Sequence, residues 1–169
     1  LKRLEGYQLD VVLTNTAPVG DSATPWVSHL ISEQPVSLIG DPALASQERS
    51  LEALLSQEPL LLPSIESNIR IAFDALVERL GIQVNIRAEV SDMTMLRLVA
   101  RERVGLAVVP PIVVKDELDE GILSVIREIP DITETFYAVV VRRTGPNPLN
   151  SELGGRAVRS AIGAEAQNR

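Results

Sequence analysis

The sequence predicts an α/β fold on a mostly parallel sheet. Short apolar runs with the length and β-branching of strands alternate with segments of helical periodicity through most of the chain. Runs such as residues 9–14 (LDVVLT) and 104–109 (VGLAVV) carry few polar residues, as fully buried strands do. With 169 residues, 45% of them hydrophobic, the chain can bury a sizeable core as one domain or two small lobes.

Residues 1–7 read as the end of an amphipathic helix with Gly6 near its stop. Residues 9–14 form a strand, and residues 15–25, rich in Ala, Pro, Gly, Asp and Ser, form a loop. Residues 26–39 hold two strand-like pieces around Pro35, and Asp41-Pro42 marks a turn. A short helix over 51–55 precedes a short buried strand over 59–62. The clearest helix spans 67–80, where Ile69, Ala72, Phe73, Leu76, Val77 and Leu80 recur at helical spacing. Ser64 or Ser67 is available to cap its start, and Gly81 stands at its stop. Val84, Ile86, Ala88 and Val90 alternate with polar residues, the period of a strand with one polar face. Ser91 and Asp92 cap the next helix, which turns Met93, Met95, Leu96, Val99 and Ala100 inward. Residues 104–109 are a buried strand. Pro111 opens a helix through Glu120, and Gly121 ends it. Strands follow over 122–126 and 136–142. A last helix over 148–164 is weakened by Gly154 and Gly155.

Composition excludes several functions. Without Cys there is no disulfide framework, thiol nucleophile or thiolate metal site, and a single His does not supply a multi-histidine zinc site. The net charge of -7 repels phosphate backbones, so this segment is a poor nucleic-acid binder by itself. The longest nearly apolar run, residues 104–114, is interrupted by Pro110 and Pro111 and too short to span a bilayer. The opening LKRLE is not a secretion signal. A soluble, cytoplasmic protein is the expectation, and the start at Leu1 reads as a cut from a longer chain.

Catalytic and metal chemistry is weakly marked. There is no Gly-rich phosphate loop. Residues 63–68 (PSIESN) precede a helix whose first N–H groups are open to a polar ligand, a role that competes with plain capping by Ser64 or Ser67. Asp116, Glu117, Asp119 and Glu120 form an acidic run that reads as a solvated helix surface, not a tuned acid–base pair. His29 lacks a marked nucleophile or orienting acid. Glu66 and Asp92 with neighbouring hydroxyls offer only a weak oxygen site for a hard cation. Met93 and Met95 read as core fillers. The residues alone describe an α/β ligand-binding module with no identifiable catalytic machinery.

The order of four segments resembles the effector-binding domain of LysR-type transcriptional regulators. Residues 9–13 (LDVVL) resemble the strand that closes the first quarter of that domain. Residues 30–39 (LISEQPVSLI) look like the strand that crosses into the second lobe. Residues 63–80 look like the loop and helix of that lobe's ligand face. Residues 96–110 (LRLVARERVGLAVVP) resemble the helix–strand–proline signature at the return to the first lobe. One departure is Arg103, where the family commonly has Gly. Residues 89–110 look most like the subfamily that activates sodium/proton antiporter genes.

The resemblance implies two α/β lobes joined by crossing strands, as in periplasmic binding proteins. Residues 1–34 and 111–169 would form the first lobe, N-terminally truncated, and residues 35–110 the second. A small-molecule or ion effector would bind between the lobes and shift the arrangement passed to DNA-binding domains. DNA would be contacted only through a winged helix-turn-helix absent from this sequence. The parent protein would be a homo-oligomer, with no membrane contact, no cofactor and no enzyme activity. Thr14 and Asn15 match a polar contact of the first lobe; Ser64, Ser67 and Asn68 fall on the effector-facing loop; Ser91 and Asp92 lie near the lobe junction. No Arg occupies these loops, although Arg70 lies one turn into the helix. A neutral ligand or a cation, sodium by the subfamily resemblance, is thus expected over an anionic aromatic one. The competing reading is a transporter's solute-binding protein of the same fold.

Overall fold

In the computed structural model, which describes residues 11–16, 18 and 26–141, the apolar runs become strands whose successive side chains serve opposite faces. The strands are β1 (Val11–Thr14), β2 (Trp26–Gly40), β3 (Pro59–Pro63), β4 (Asn85–Val90), β5 (Leu106–Val109) and β6 (Ser124–Val141). The helices are α1 (Pro42–Ala45), α2 (Leu51–Gln57), α3 (Asn68–Leu80), α4 (Met93–Arg101) and α5 (Lys115–Asp119). A 3-10 turn over Pro111–Val114 runs into α5. The helices expected at 1–7 and 148–164, and most of the loop expected at 15–25, lie outside the described residues.

The chain forms two compact units, Leu1–Glu33 with Thr135–Arg169, and Gln34–Glu134. It passes from one to the other inside β2 and again inside β6. Residues 111–134, expected with the first lobe, fall in the larger unit, where Val114, Leu123, Ile129 and Ile132 join the core.

In the larger unit β5 lies between β2 and β3, with β4 outside β3. β3 is parallel to β4 and β5, because helical crossovers through α3 and α4 return the chain in one direction. β2 arrives from the other unit and pairs antiparallel with β5, so the sheet is mixed where a mostly parallel one was expected. Leu60 and Leu62 of β3, Leu106 and Val108 of β5, and Val36 and Leu38 of β2 face a core closed by α2 and α3 through Leu54, Leu55, Ile69, Phe73 and Leu76. Leu61, Ala107, Val109 and Ile39 face a second core, closed by Leu96 and Ala100 of α4 with Val114 and Leu123. A sheet covered on both faces needs apolar side chains at consecutive positions, hence the unbroken apolar runs.

β4 departs from that rule. Leu60 pairs with Ile86 and Leu61 with Ala88, which leaves Arg87 as the extra residue of a bulge. Ile86 is exposed, while Ala88 and Val90 pack on the second core. In the smaller unit β1 runs antiparallel to β6, from Val11 opposite Val140 to Thr14 opposite Tyr137. Trp26, Val139 and Val12 form its described core.

Four local expectations are corrected. β2 continues through Pro35, which lies outside the ladder with β5 at Ser37–Ile39 and therefore needs no N–H for it. The two strands expected over 122–142 are one strand, β6, in which Asp131 adopts φ of 64° between buried Ile129 and Ile132. Met95 is exposed on α4 instead of buried. Glu117, read as a solvated member of an acidic run, is 1% exposed. Its Oε1 accepts from Arg97 Nε at 2.9 Å and lies 3.4 Å from Arg101 Nη1, so the carboxylate ties α5 to α4.

Helix ends follow the residues that mark them. Ser50 accepts from Ala53 N at 3.2 Å to cap α2, and Asp41 accepts from Ala43 N at 2.9 Å to cap α1. Gly81 and Gly121 stop α3 and α5 in the left-handed conformation, with φ of 63° and 71°. Arg103, just past α4, adopts φ of 54° and donates its N–H to Ala100 O at 2.9 Å. This is the position where the resemblance expects Gly. A left-handed non-glycine residue costs roughly 1–2 kcal/mol. The contact from Arg103 to Asp41, 3.9 Å between exposed groups, returns little of that.

Arg103→Gly should therefore raise stability by about 0.5–1 kcal/mol, after allowing for the greater unfolded-state freedom of Gly. Denaturant unfolding measures it, and a loss of stability would show that the side-chain contact matters more than the backbone. At Gly105 a Cβ would meet Pro59 O at 2.5 Å, a backbone atom of the neighbouring strand. Gly105→Ala should cost about 1–3 kcal/mol by forcing β5 from β3, read in the same assay.

Candidate functional site

Because β3, β4 and β5 run in one direction, their carboxyl ends share one edge of the larger unit's sheet, where α/β sheets bind ligands. Three segments leave that edge: residues 64–67 after β3, Ser91-Asp92 after β4, and Pro110 after β5. Pro63 pairs with Val90, and Ser64 N donates to Val90 O at 3.0 Å, so the first two segments leave side by side. The structure thus brings Ser64, Ser67, Asn68, Ser91 and Asp92 onto one edge of one unit.

Ser67 occupies the cap position of α3 with extended φ and ψ of -71° and 138°, yet its side chain makes no capping hydrogen bond. The turn is closed by the backbone, with Ser67 N donating to Ser64 O and Ile71 N to Ser67 O, both at 3.0 Å. Capping by the Ser67 side chain, the competing reading of this residue, is not realised. Ser64 and Ser67 are half-buried and Asn68 is exposed. Asp92 does cap its helix: Oδ1 accepts from Thr94 N at 2.8 Å and from Met95 N at 3.1 Å. Ser91 beside it is exposed.

Thr14 and Asn15 belong to the smaller unit, at the end of β1. Thr14 Oγ1 accepts from Thr16 N at 3.2 Å and donates to Thr16 O at 3.3 Å, which shapes the turn that exposes Asn15.

Arg70, which by sequence lies one turn into the helix and outside the candidate loops, is bonded to the ends of β3 and β4. It lies on the buried side of α3 between Ile69 and Phe73, and is itself 6% exposed. Nε donates to both oxygens of Asp74, at 2.9 and 3.0 Å. Nη1 donates to Glu89 Oε2 at 2.6 Å and to Pro63 O at 3.3 Å. Burial acts to lower its pKa, but the hydrogen bonds to Asp74 and Glu89 together outweigh burial and raise it. The available signal was Asp74, four residues on along the helix, a spacing that lets the pair meet.

The edge therefore offers hydroxyls, an amide and backbone N–H groups, flanked by Glu66 and Asp92. Such a set has the hydrogen-bonding chemistry that a polar ligand requires. His29 is exposed on β2. Among the described residues no group of three or more His, Cys, Asp or Glu is placed to hold a metal ion. No helix among them is long and apolar enough to cross a membrane.

The model of the LysR substrate binding domain family matches residues 1–156. No functionally curated protein matches the chain. Solved structures similar to it include three regulators. The regulatory domain of MexT, a transcriptional activator in Pseudomonas aeruginosa, shares 14% identity at a TM-score of 0.69, over 93% of this chain and 77% of that one. The Synechocystis PCC6803 CcmR regulatory domain in complex with 2-PG shares 16% at 0.63, over 99% and 78%. Full-length HypT of Salmonella typhimurium, a hypochlorite-specific LysR-type transcriptional regulator, shares 19% at 0.59, over 99% and 55%. At these identities the solved structures speak to fold alone, an α/β fold of the periplasmic-binding-protein-like, two-lobed class. The family match carries the rest: this chain belongs to the LysR substrate-binding domain family, the effector-binding regulatory domains of LysR-type transcription regulators.

Proposed function

We propose that this chain senses a small polar effector on the segments beyond β3 and β4, and that binding shifts the state of a DNA-binding domain elsewhere in its parent protein. The observation that carries the reading is the uncommitted Ser67 hydroxyl, half-buried at the start of α3 and unused as a cap. Ser64, Asn68, Ser91 and Asp92 supply the neighbouring polar groups, and Thr14 and Asn15, at the end of β1 in the smaller unit, are matched to a polar effector contact by the resemblance alone. The parent regulator acts as a cytoplasmic homo-oligomer and reaches DNA through a winged helix-turn-helix, since the net charge of -7 suits this domain poorly to phosphate contact. No enzymatic step is part of this reading.

Charge favours a neutral or cationic effector. The Arg70 guanidinium is matched by two carboxylates, Asp74 and Glu89, and Glu66 and Asp92 add negative charge at the same edge. A sodium ion held by hydroxyl, carbonyl and carboxylate oxygens is the finer form of this proposal. The resemblance of residues 89–110 to sodium/proton antiporter gene activators supports it.

Thermal unfolding in sodium, lithium or potassium chloride at equal ionic strength, and with 2-PG, tests the reading. An effector at a hundredfold excess over its Kd adds about 2.7 kcal/mol of stability. Ser67→Ala should change the unliganded stability by less than about 0.5 kcal/mol, because no cap bond is lost, and should reduce stabilisation by the active probe. An unfolded Ser67→Ala protein, or full stabilisation retained in both Ser67→Ala and Asn68→Ala, rejects the site. Stabilisation by sodium but not potassium selects the ion form. In a mobility-shift assay this chain alone should leave promoter DNA unshifted.

A further inference from the structure

We infer that Arg70 is the positioning residue of the effector edge: one buried guanidinium sets where the segments after β3 and β4 leave the sheet. The inference rests on the reading of those segments as the effector site.

Its three partners lie on three elements. Asp74 is on α3, Pro63 is the last residue of β3, and Glu89 is the penultimate residue of β4. Pro63 immediately precedes Ser64, and Glu89 stands two residues before Ser91. A planar, rigid fork can hold three acceptors in fixed directions, which the single ammonium of Lys cannot reproduce from the same backbone position. Burial is one-sided. The Arg70 side chain is 8% exposed, whereas those of Asp74 and Glu89 are 54% and 47% exposed. The carboxylates keep much of their hydration, while the cation depends on its charge-assisted bonds to offset desolvation.

Backbone hydrogen bonds tie the same edge. Ser64 N to Val90 O joins the two segments, and Ser67 N to Ser64 O closes the turn. Both are backbone bonds next to the strand ends that Arg70 holds. Loosening Arg70 therefore frees the polar groups of residues 64–68, while Asp92 stays bonded to Thr94 and Met95, without opening the cores, which are closed by apolar residues of α2, α3 and α4 with Val114 and Leu123.

Residue-resolved amide hydrogen exchange on the unliganded chain tests this. Arg70→Lys keeps the charge and loses the fork. It should speed exchange at the Ser64 and Ser67 amides about tenfold or more, with β5 amides unchanged. Glu89→Gln, at a half-exposed side chain that folding tolerates, should give the same pattern at smaller amplitude. Exchange that rises uniformly, or does not change at those two amides in either variant, overturns the inference, since a purely structural Arg70 would act on global unfolding. The effector reading is judged apart from this, by the response of Ser67→Ala to sodium chloride and 2-PG. With that response confirmed, Arg70→Lys should raise the Kd for the active probe about tenfold at unchanged stoichiometry, an effect of about 1.4 kcal/mol. An unchanged Kd in Arg70→Lys also overturns the positioning role.

Discussion

Burial on both faces of β3 and β5 is the constraint on which the larger unit depends. Leu60 and Leu62 look into one core and Leu61 into the other, and Leu106 to Val109 divide in the same way. Each fully buried aliphatic side chain contributes roughly 1.5–3 kcal/mol. These two short strands therefore anchor helices on both sides at once. Two-sided burial also leaves no room for error between the strands. At Gly105, immediately before β5, the backbone approaches Pro59 of β3 so closely that a methyl group has no place.

The same constraint builds the candidate edge. Strands returned by helical crossovers run parallel, so β3, β4 and β5 end together, and whatever follows them is gathered on one side. Hydroxyl and amide side chains far apart in sequence thereby become neighbours. Arg70 adds an electrostatic tie to this hydrophobic frame, by joining α3 to the ends of both strands. Glu117 plays a comparable part between α5 and α4, away from the candidate edge.

Much of this was legible in the residues. Ile69, Phe73 and Leu76 mark the buried face of α3 by spacing alone, and Gly81 and Asp92 mark helix ends through their own stereochemistry. Ser64, Ser67, Asn68, Ser91 and Asp92 were singled out by the resemblance of their segments to an effector-facing loop and a lobe junction. Arg70 and Glu117 were not legible as buried groups. A charged residue within a helical pattern reads as solvated until the partners that neutralise it are known. The partner is local for Asp74 but nineteen residues away for Glu89 and twenty for Arg97 with Glu117. The continuity of β2 through Pro35 and of β6 through Asp131 was hidden for a related reason. Pro and a left-handed residue signal breaks locally, and only strand pairing decides whether a strand absorbs them as a bulge or an unpaired position.

The amino-acid sequence by itself determined most of the strands and helices, the helix ends at Asp92, Gly81 and Gly121, and the acidic, cysteine-free character of the chain. These properties arise from side-chain periodicity, backbone preference and composition, all of which act over a few residues. Tertiary structure alone decided the mixed strand directions, the assignment of residues 111–134 to the larger unit, the exposure of Met95 and the burial of Arg70 and Glu117. Those outcomes depend on pairing and desolvation between distant segments, where the energy of a charge or a strand edge is set by its neighbours.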